Sequence, residues 1–320
     1  MTDLPTLAQL DAAARTVYEA MLPTPQYRWP LLSEALGTEL WVKHENHTPV
    51  GAFKVRGGLV YFADLAAGAN RPAGVVSATR GNHGQSIALA AARHGIASTI
   101  VVPHGNSVEK NAAMRALRAT LVEHGDDFQA AREHAVRLAQ ENGWHMVPSF
   151  HPLLVRGVGT WSLEMLRAVP GLDVVYVPIG LGSGICGMIA AREALGLKTT
   201  IVGVVSSHAP AYALSFAQRQ ALSHPVSTLI GDGMACSTPE QPALEWIWRH
   251  VERIVQVSDD ELRAAMRLLF RTTHNTAEGA GAAGLAAAWQ ERERLRGRKV
   301  GVVLSGANVD SEVFGAVLLR

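Results

Sequence analysis

The sequence predicts an α/β protein built around parallel sheet. Short β-branched runs alternate with alanine-rich helical stretches, and glycine-bearing loops follow several of those runs. With 48% hydrophobic residues over 320 positions, the chain supplies cores for about two domains of ordinary size. In order, Gly74-Val75-Val76-Ser77 reads as a strand and 85–94 as the helix after it. The pattern repeats with a strand at 97–102 and a helix at 107–117, then a strand at 173–177 and a helix at 184–195. A strand at 199–205 follows. Ser258-Asp259-Asp260-Glu261 carries a capping-box pattern and opens a helix over 262–272. The last strand is 299–304. In such a fold, ligands are expected where strands end and helices begin.

Composition excludes several classes. The net charge is +1 with interspersed signs, so the basic stripe that a nucleic acid requires is missing. No run approaches the ~20 apolar residues of a membrane helix. Cys186 and Cys236 are the only cysteines and form no disulfide framework or zinc-type spacing. The first ten residues are polar and lack secretory character, so a reducing cytoplasm is the expected setting. No internal repeat or charged linker marks a domain boundary.

Three loops carry chemistry. Residues 51–58, Gly-Ala-Phe-Lys-Val-Arg-Gly-Gly, place Lys54 in a glycine-flanked turn behind Phe53. The strand ending at Pro178 runs into Gly180-Leu181-Gly182-Ser183-Gly184 and then a helix, whose free N–H groups and dipole favour a phosphate. An ordinary turn needs one or two glycines, not three at alternate positions. Gly182, Gly184 and Gly187 also form a literal dinucleotide pattern. However, strand 199–205 ends in Ser206-Ser207-His208 with no acidic residue for a ribose, so a monophosphate fits better.

The second loop runs from Ser77 through Thr79, Arg80, Gly81, Asn82 and His83. It offers successive backbone donors suited to a carboxylate. Asn82 adds an amide able to bond a phenolic oxygen. His83 is open to three roles, as ligand, base or helix cap. The third loop, Leu304-Ser305-Gly306-Ala307-Asn308, exposes the Ser305 hydroxyl after the last strand. An anionic aromatic cofactor suits the set, which points to pyridoxal phosphate.

Together these segments resemble the fold-type II pyridoxal-phosphate enzymes, in particular the serine/threonine dehydratase (ammonia-lyase) and serine racemase group. The matches are Lys43-His44-Glu45 leading into Pro49, Phe53-Lys54-Val55-Arg56-Gly57, Gly81-Asn82-His83-Gly84-Gln85, and Val177-Pro178 with its glycine loop. They continue with Gly231-Asp232-Gly233, Glu278-Gly279-Ala280-Gly281, and Leu304-Ser305-Gly306 with Asn308. They span residues 23 to 310. The resemblance implies a tryptophan synthase β-like fold with two open twisted sheets flanked by helices. It further implies a large cofactor-binding domain from 1–46 and 151–320, and a small domain from 47–150 carrying the substrate-carboxylate loop.

By the same resemblance, Lys54 links covalently to the cofactor and serves in turn as nucleophile and base. Phe53 packs beside the cofactor, Asn82 bonds its ring hydroxyl, Gly180, Leu181, Gly182, Ser183 and Gly184 cradle the phosphate, and Ser305 meets the pyridine nitrogen. Ser77 and Thr79 to His83 receive the substrate. The implied reaction converts an L-3-hydroxy amino acid of the threonine or serine type, with 3-phenylserine and 3-hydroxyaspartate as further candidates, to a 2-keto acid and ammonia. A neutral hydroxyl at Ser305 leaves the pyridine largely unprotonated and favours elimination. The family habit is a homodimer. Serine racemase, a β-replacement synthase and a catalytically silent cofactor-binding homologue are the alternatives.

Four departures refine this. Arg80 stands where racemases of the group carry the serine that acts on the opposite face of Cα, and a guanidinium is too strongly protonated to replace it. Val205 and Ala211 stand where metal-binding members carry carboxylates, so no metal site is expected. Ala52 replaces a serine before the Phe-Lys pair, and Leu181 and Ser183 replace glycines. The chain stops soon after Asn308 without the regulatory domain of biosynthetic threonine dehydratases, so feedback inhibition by isoleucine is not expected.

Overall fold

The computed structural model describes residues 3–319. Among these, the strands in chain order are β1 (Gln26–Arg28), β2 (Glu39–His44), β3 (Gly74–Ala78), β4 (Ala97–Val102), β5 (Thr120–Glu123), β6 (His145–Met146), β7 (Val174–Pro178), β8 (Thr200–Ser206), β9 (Arg253–Val257) and β10 (Lys299–Leu304). They form two sheets flanked by helices, as expected. One is a four-stranded parallel sheet in the order β5-β4-β3-β6. The other has six strands in the order β1-β2-β10-β7-β8-β9, parallel throughout except for β1 at its edge. β3, β7 and β10 are buried almost end to end, as suits Val-rich strands covered by helices on both faces. No helix of the described residues is long and apolar enough to cross a membrane.

Local signals set most boundaries. Helix Asp259–Thr273 starts on the expected capping box, with Ser258 Oγ accepting from the Glu261 N–H and Glu261 Oε2 accepting from the Ser258 N–H. One reading needs correction: Lys54 does not sit in a turn. It opens helix Lys54–Ala67, and the turn lies upstream at Gly51, whose φ is +67°. Gly57 and Gly58 lie inside that helix because neighbours press on its backbone. A Cβ on Gly57 would meet the Leu154 carbonyl at 2.9 Å, and one on Gly58 would overlap the Ser86 hydroxyl.

Helix Pro152–Ala168 is the hub of the six-stranded side. A Cβ on Gly157 would overlap the Arg56 carbonyl, so this helix and Lys54–Ala67 cross backbone to backbone. Two residues on, about 200° around the helix, Gly159 meets helix Ser183–Ala194. A Cβ on Gly187 would lie 2.9 Å from the Gly159 Cα. The third glycine of the dinucleotide-like pattern therefore serves packing.

An ionic cluster lies beside the first of these crossings. Arg56 is fully buried and donates to both oxygens of Glu45, at 2.7 and 3.0 Å, and to both oxygens of Glu164, at 2.6 and 3.0 Å. Lys43 adds a 2.6 Å bond to Glu164, and Thr160, Thr24 and Tyr18 complete the hydrogen bonds. Burial alone would raise the Glu164 pKa, but the Arg56 and Lys43 charges win and hold it below the usual carboxylate range.

Candidate active site

Because the strands within each sheet, β1 excepted, run parallel, their carboxyl ends gather on one edge. There β3 delivers Thr79 to His83, β7 delivers Gly180 to Gly184, and β10 delivers Ser305. The Ser305 loop is tied to the Lys54 segment. Phe53 N donates to the Ser305 carbonyl at 3.0 Å, Ala307 N donates to the Gly51 carbonyl at 2.9 Å, and Ala52 bridges Gly306. The result is a cleft of about 480 Å³ between the two sheets. Of the residues singled out from sequence, Lys54, Thr79, Arg80, Gly81, Asn82, His83, Gly180 and Leu181 line it.

The remaining ones stand behind that wall. Gly182, Ser183 and Gly184 form the start of helix Ser183–Ala194. Gly182 has a φ of +101°, and Gly184 packs on the Phe53 ring, where an added Cβ would lie at 3.6 Å. Lys54 Nζ lies 5.2 Å from the centre of the same ring. Ser305 Oγ is buried and makes only a long 3.4 Å bond to the Ala280 carbonyl. Ser77 is committed elsewhere, its hydroxyl donating to the Val147 carbonyl at 3.1 Å. Val205 and Ala211 are buried apolar side chains.

Two sets of amides are left for ligands. Among the described residues, the N–H groups of 180–184 have no partner, and neither do those of Arg80, Asn82, His83 and Gly84. Each set opens a helix, where unpaired donors and the dipole together bind an anion. Gly180 is hemmed by the Gly233 carbonyl, which a Cβ would overlap, so the backbone itself forms the wall. Lys54 lines the same cleft as residues of both sets. Burial lowers its pKa more than the nearby Glu278 carboxylate raises it, which favours a free amine.

The His83 ring caps nothing, because the N-cap position is Gly81. Burial first, and the Lys54 charge second, push its pKa down to about 3 against the tie to the Pro148 carbonyl. It is therefore neutral at physiological pH, and its buried Nε2 has no partner among the described residues.

The orientation of Asn82 is set by a chain of bonds. Asn308 Nδ2 donates to the Val50 carbonyl at 2.8 Å, which fixes that amide, and also to Asn82 Oδ1 at 2.8 Å. Asn82 must then turn its Nδ2 to Glu278, where it donates to Oε1 at 2.5 Å. One N–H of Asn82 is left for another acceptor. Lys110 closes the chain with a 3.2 Å bond to Glu278 Oε2. The sequence reading gave Glu278 no role and passed over Lys110. The one available signal was position, since Ser107 and Lys110 follow the end of β4 on the edge where ligands bind.

These residues fit pyridoxal phosphate. Unpaired amides suit the phosphate, a free amine suits the aldehyde, a spare amide N–H suits the phenolic oxygen, and a loosely bonded hydroxyl suits the ring nitrogen. The comparisons agree. The profile of the family described as "Pyridoxal-phosphate dependent enzyme" matches residues 17–306. The L-threonine ammonia-lyase of Thermotoga maritima is 32% identical over 98% of this chain and 78% of its own length. The biosynthetic L-threonine dehydratase of Haemophilus influenzae is 33% identical over 92% of this chain but only 58% of its own length. Among solved structures, a pyridoxal 5'-phosphate-dependent aspartate racemase superposes with a TM-score of 0.91 at 26% identity, covering 98% of each chain.

Proposed function

Because the chain belongs to the pyridoxal-phosphate-dependent enzyme family, we propose that it is an ammonia-lyase converting an L-3-hydroxy amino acid, of the threonine or serine type, to a 2-keto acid and ammonia. The observation that carries the reading is that Lys54 lines one cleft together with residues of two sets of unpaired amides. One set takes the cofactor phosphate and the other the substrate carboxylate. When bound, the cofactor supplies the electron sink that makes the Cα proton acidic.

The chain's own residues do the rest. Lys54, whose pKa burial lowers, removes the Cα proton as a base. The unpaired amides of Arg80, Asn82, His83 and Gly84 hold the carboxylate so that Cα faces that amine. Asn82 and Ser305 orient the ring through a donor N–H and a neutral hydroxyl. Water leaves from Cα and Cβ together, and hydrolysis of the remaining enamine releases ammonia. A screen of 3-hydroxy amino acids for keto-acid and ammonia release tests this. Threonine or serine should give both products in equal amounts. Failure of every such amino acid with cofactor-loaded protein would sink the reading.

The racemase neighbours make one distinction worth testing. Arg80 is exposed, lines the cleft and has no hydrogen bond or ion pair among the described residues. A guanidinium there cannot deliver and remove a proton on the far face of Cα at neutral pH. L-serine in deuterated water should therefore yield pyruvate with little D-serine. D-serine formed as fast as pyruvate would assign the chain to the racemases.

A further inference from the structure

Lys110 comes from helix Val108–Ala116, on the four-stranded side, yet it serves the other side of the cleft. Its side chain lies along Gly81, where an added Cβ would overlap its Cδ, and only 7% of the residue is exposed. Its ammonium lies 3.2 Å from Glu278 Oε2 and 4.0 Å from Asp232 Oδ2. The helix does not need this ion pair to start, because Ser107 caps it and also bonds Asp310. Burying an ammonium is costly, so a buried ion pair is weak evidence for a purely stabilising role.

We propose that Lys110 is a positioning residue for the reaction: paired with Glu278, it pins the carboxylate that holds the donor edge of Asn82 and offsets that carboxylate's charge beside Lys54. The charges facing this point are few. Lys54, Lys110 and Arg80 are the cations on the cleft wall, Glu278, Asp232 and Asp127 the anions, and His83 is neutral; Asp310 acts on Lys110 from behind. Without Lys110, Glu278 keeps the Asn82 amide as its one side-chain hydrogen-bond partner among the described residues, with the Lys54 charge nearby. Its charge then favours the protonated lysine, and less free amine is available to take the Cα proton.

The test uses the holoenzyme and follows the visible absorbance of the lysine-linked cofactor as pH is raised. In Lys110→Met the midpoint of the spectral change should rise by about one unit, the lower end of what a nearby unpaired charge does. Glu278→Gln should lower it, the double variant should bring it back toward the unmodified value, and Lys110→Arg should leave it in place. At a fixed pH below the midpoint, kcat in Lys110→Met should fall on the order of tenfold, with KM little changed.

An unmoved midpoint in Lys110→Met, with only thermal stability lowered, would make Lys110 a structural strut and overturn the proposal. Should Lys110→Met not fold, equal midpoints in Glu278→Gln and the double variant would overturn it as well. The proposal rests on the cofactor and not on the substrate class. The spectral titration needs no substrate, so failure of every hydroxy amino acid would leave it standing.

Discussion

Lys54→Ala should yield a folded protein that no longer links the cofactor and turns over at least ~10³-fold more slowly. The lysine opens helix Lys54–Ala67 and lines the cleft together with residues of both sets of unpaired amides. In the proposed mechanism it is nucleophile and base in turn, so one substitution removes two roles. The check has two independent parts. The visible band of the lysine-linked cofactor should vanish, while noncovalent cofactor binding through residues 180–184 should persist in equilibrium dialysis. Full turnover in the alanine variant would remove Lys54 from the chemistry altogether.

The second large effect is on stability. Arg56→Ala leaves Glu45 and Glu164 as buried carboxylates with Lys43 as the one remaining cation in the cluster. Breaking such a pair from one side costs about 3–5 kcal/mol. A thermal midpoint lower on the order of 10 °C would follow. Arg56→Lys should recover little, because the guanidinium bonds both carboxylates through a planar fork that an ammonium lacks.

The pH dependence is a separate signature. Glu164 is held below its unfolded pKa of roughly 4.3. Its contribution is therefore present in full above that value and lost as pH falls through the lower folded one. Urea midpoints measured from neutral pH down to about pH 3 should show this acid loss in the unmodified protein and a weaker one in Arg56→Ala. An Arg56→Ala protein as stable as its parent would show the cluster to be energetically idle.

The parts of the fold read correctly from sequence are those where burial leaves a plain signal. β4 and β10 are Val- and Ile-rich strands inside parallel sheets, and their limits coincide with the expected 97–102 and 299–304. β5 and β6 escaped notice because they are short and only partly buried, with no alternation to mark them. Helix Gly279–Gln290 was hidden by its glycines, which local propensity counts against a helix. The fold needs them there: a Cβ on Gly281 would overlap the Gly306 carbonyl and one on Gly279 the Ile230 carbonyl.

The site divides the same way. The loops that carry unpaired amides were legible because each is a short glycine-bearing stretch between a strand and a helix. The Lys110–Glu278 pair joins residues 168 positions apart, and nothing local distinguishes Lys110 from a solvated lysine. Ser77 shows the converse. Its sequence position suits a substrate contact, but alternation along β3 turns its hydroxyl to the Val147 carbonyl.

The paired glycine crossings on helix Pro152–Ala168 bear on how this enzyme can be altered. One crossing sets the height of the helix that starts at Lys54, and the other sets the height of the helix that starts at the glycine loop. Contact between main chains admits no side-chain rearrangement, so the span between amine and loop works as a fixed gauge. The cleft lining on the four-stranded side is free of that gauge: Arg80, Phe128 and Gln129 line the cleft from that side. Randomising those three positions should redirect substrate preference while leaving cofactor affinity untouched, whereas any side chain added at Gly157 or Gly187 puts the gauge itself out of true.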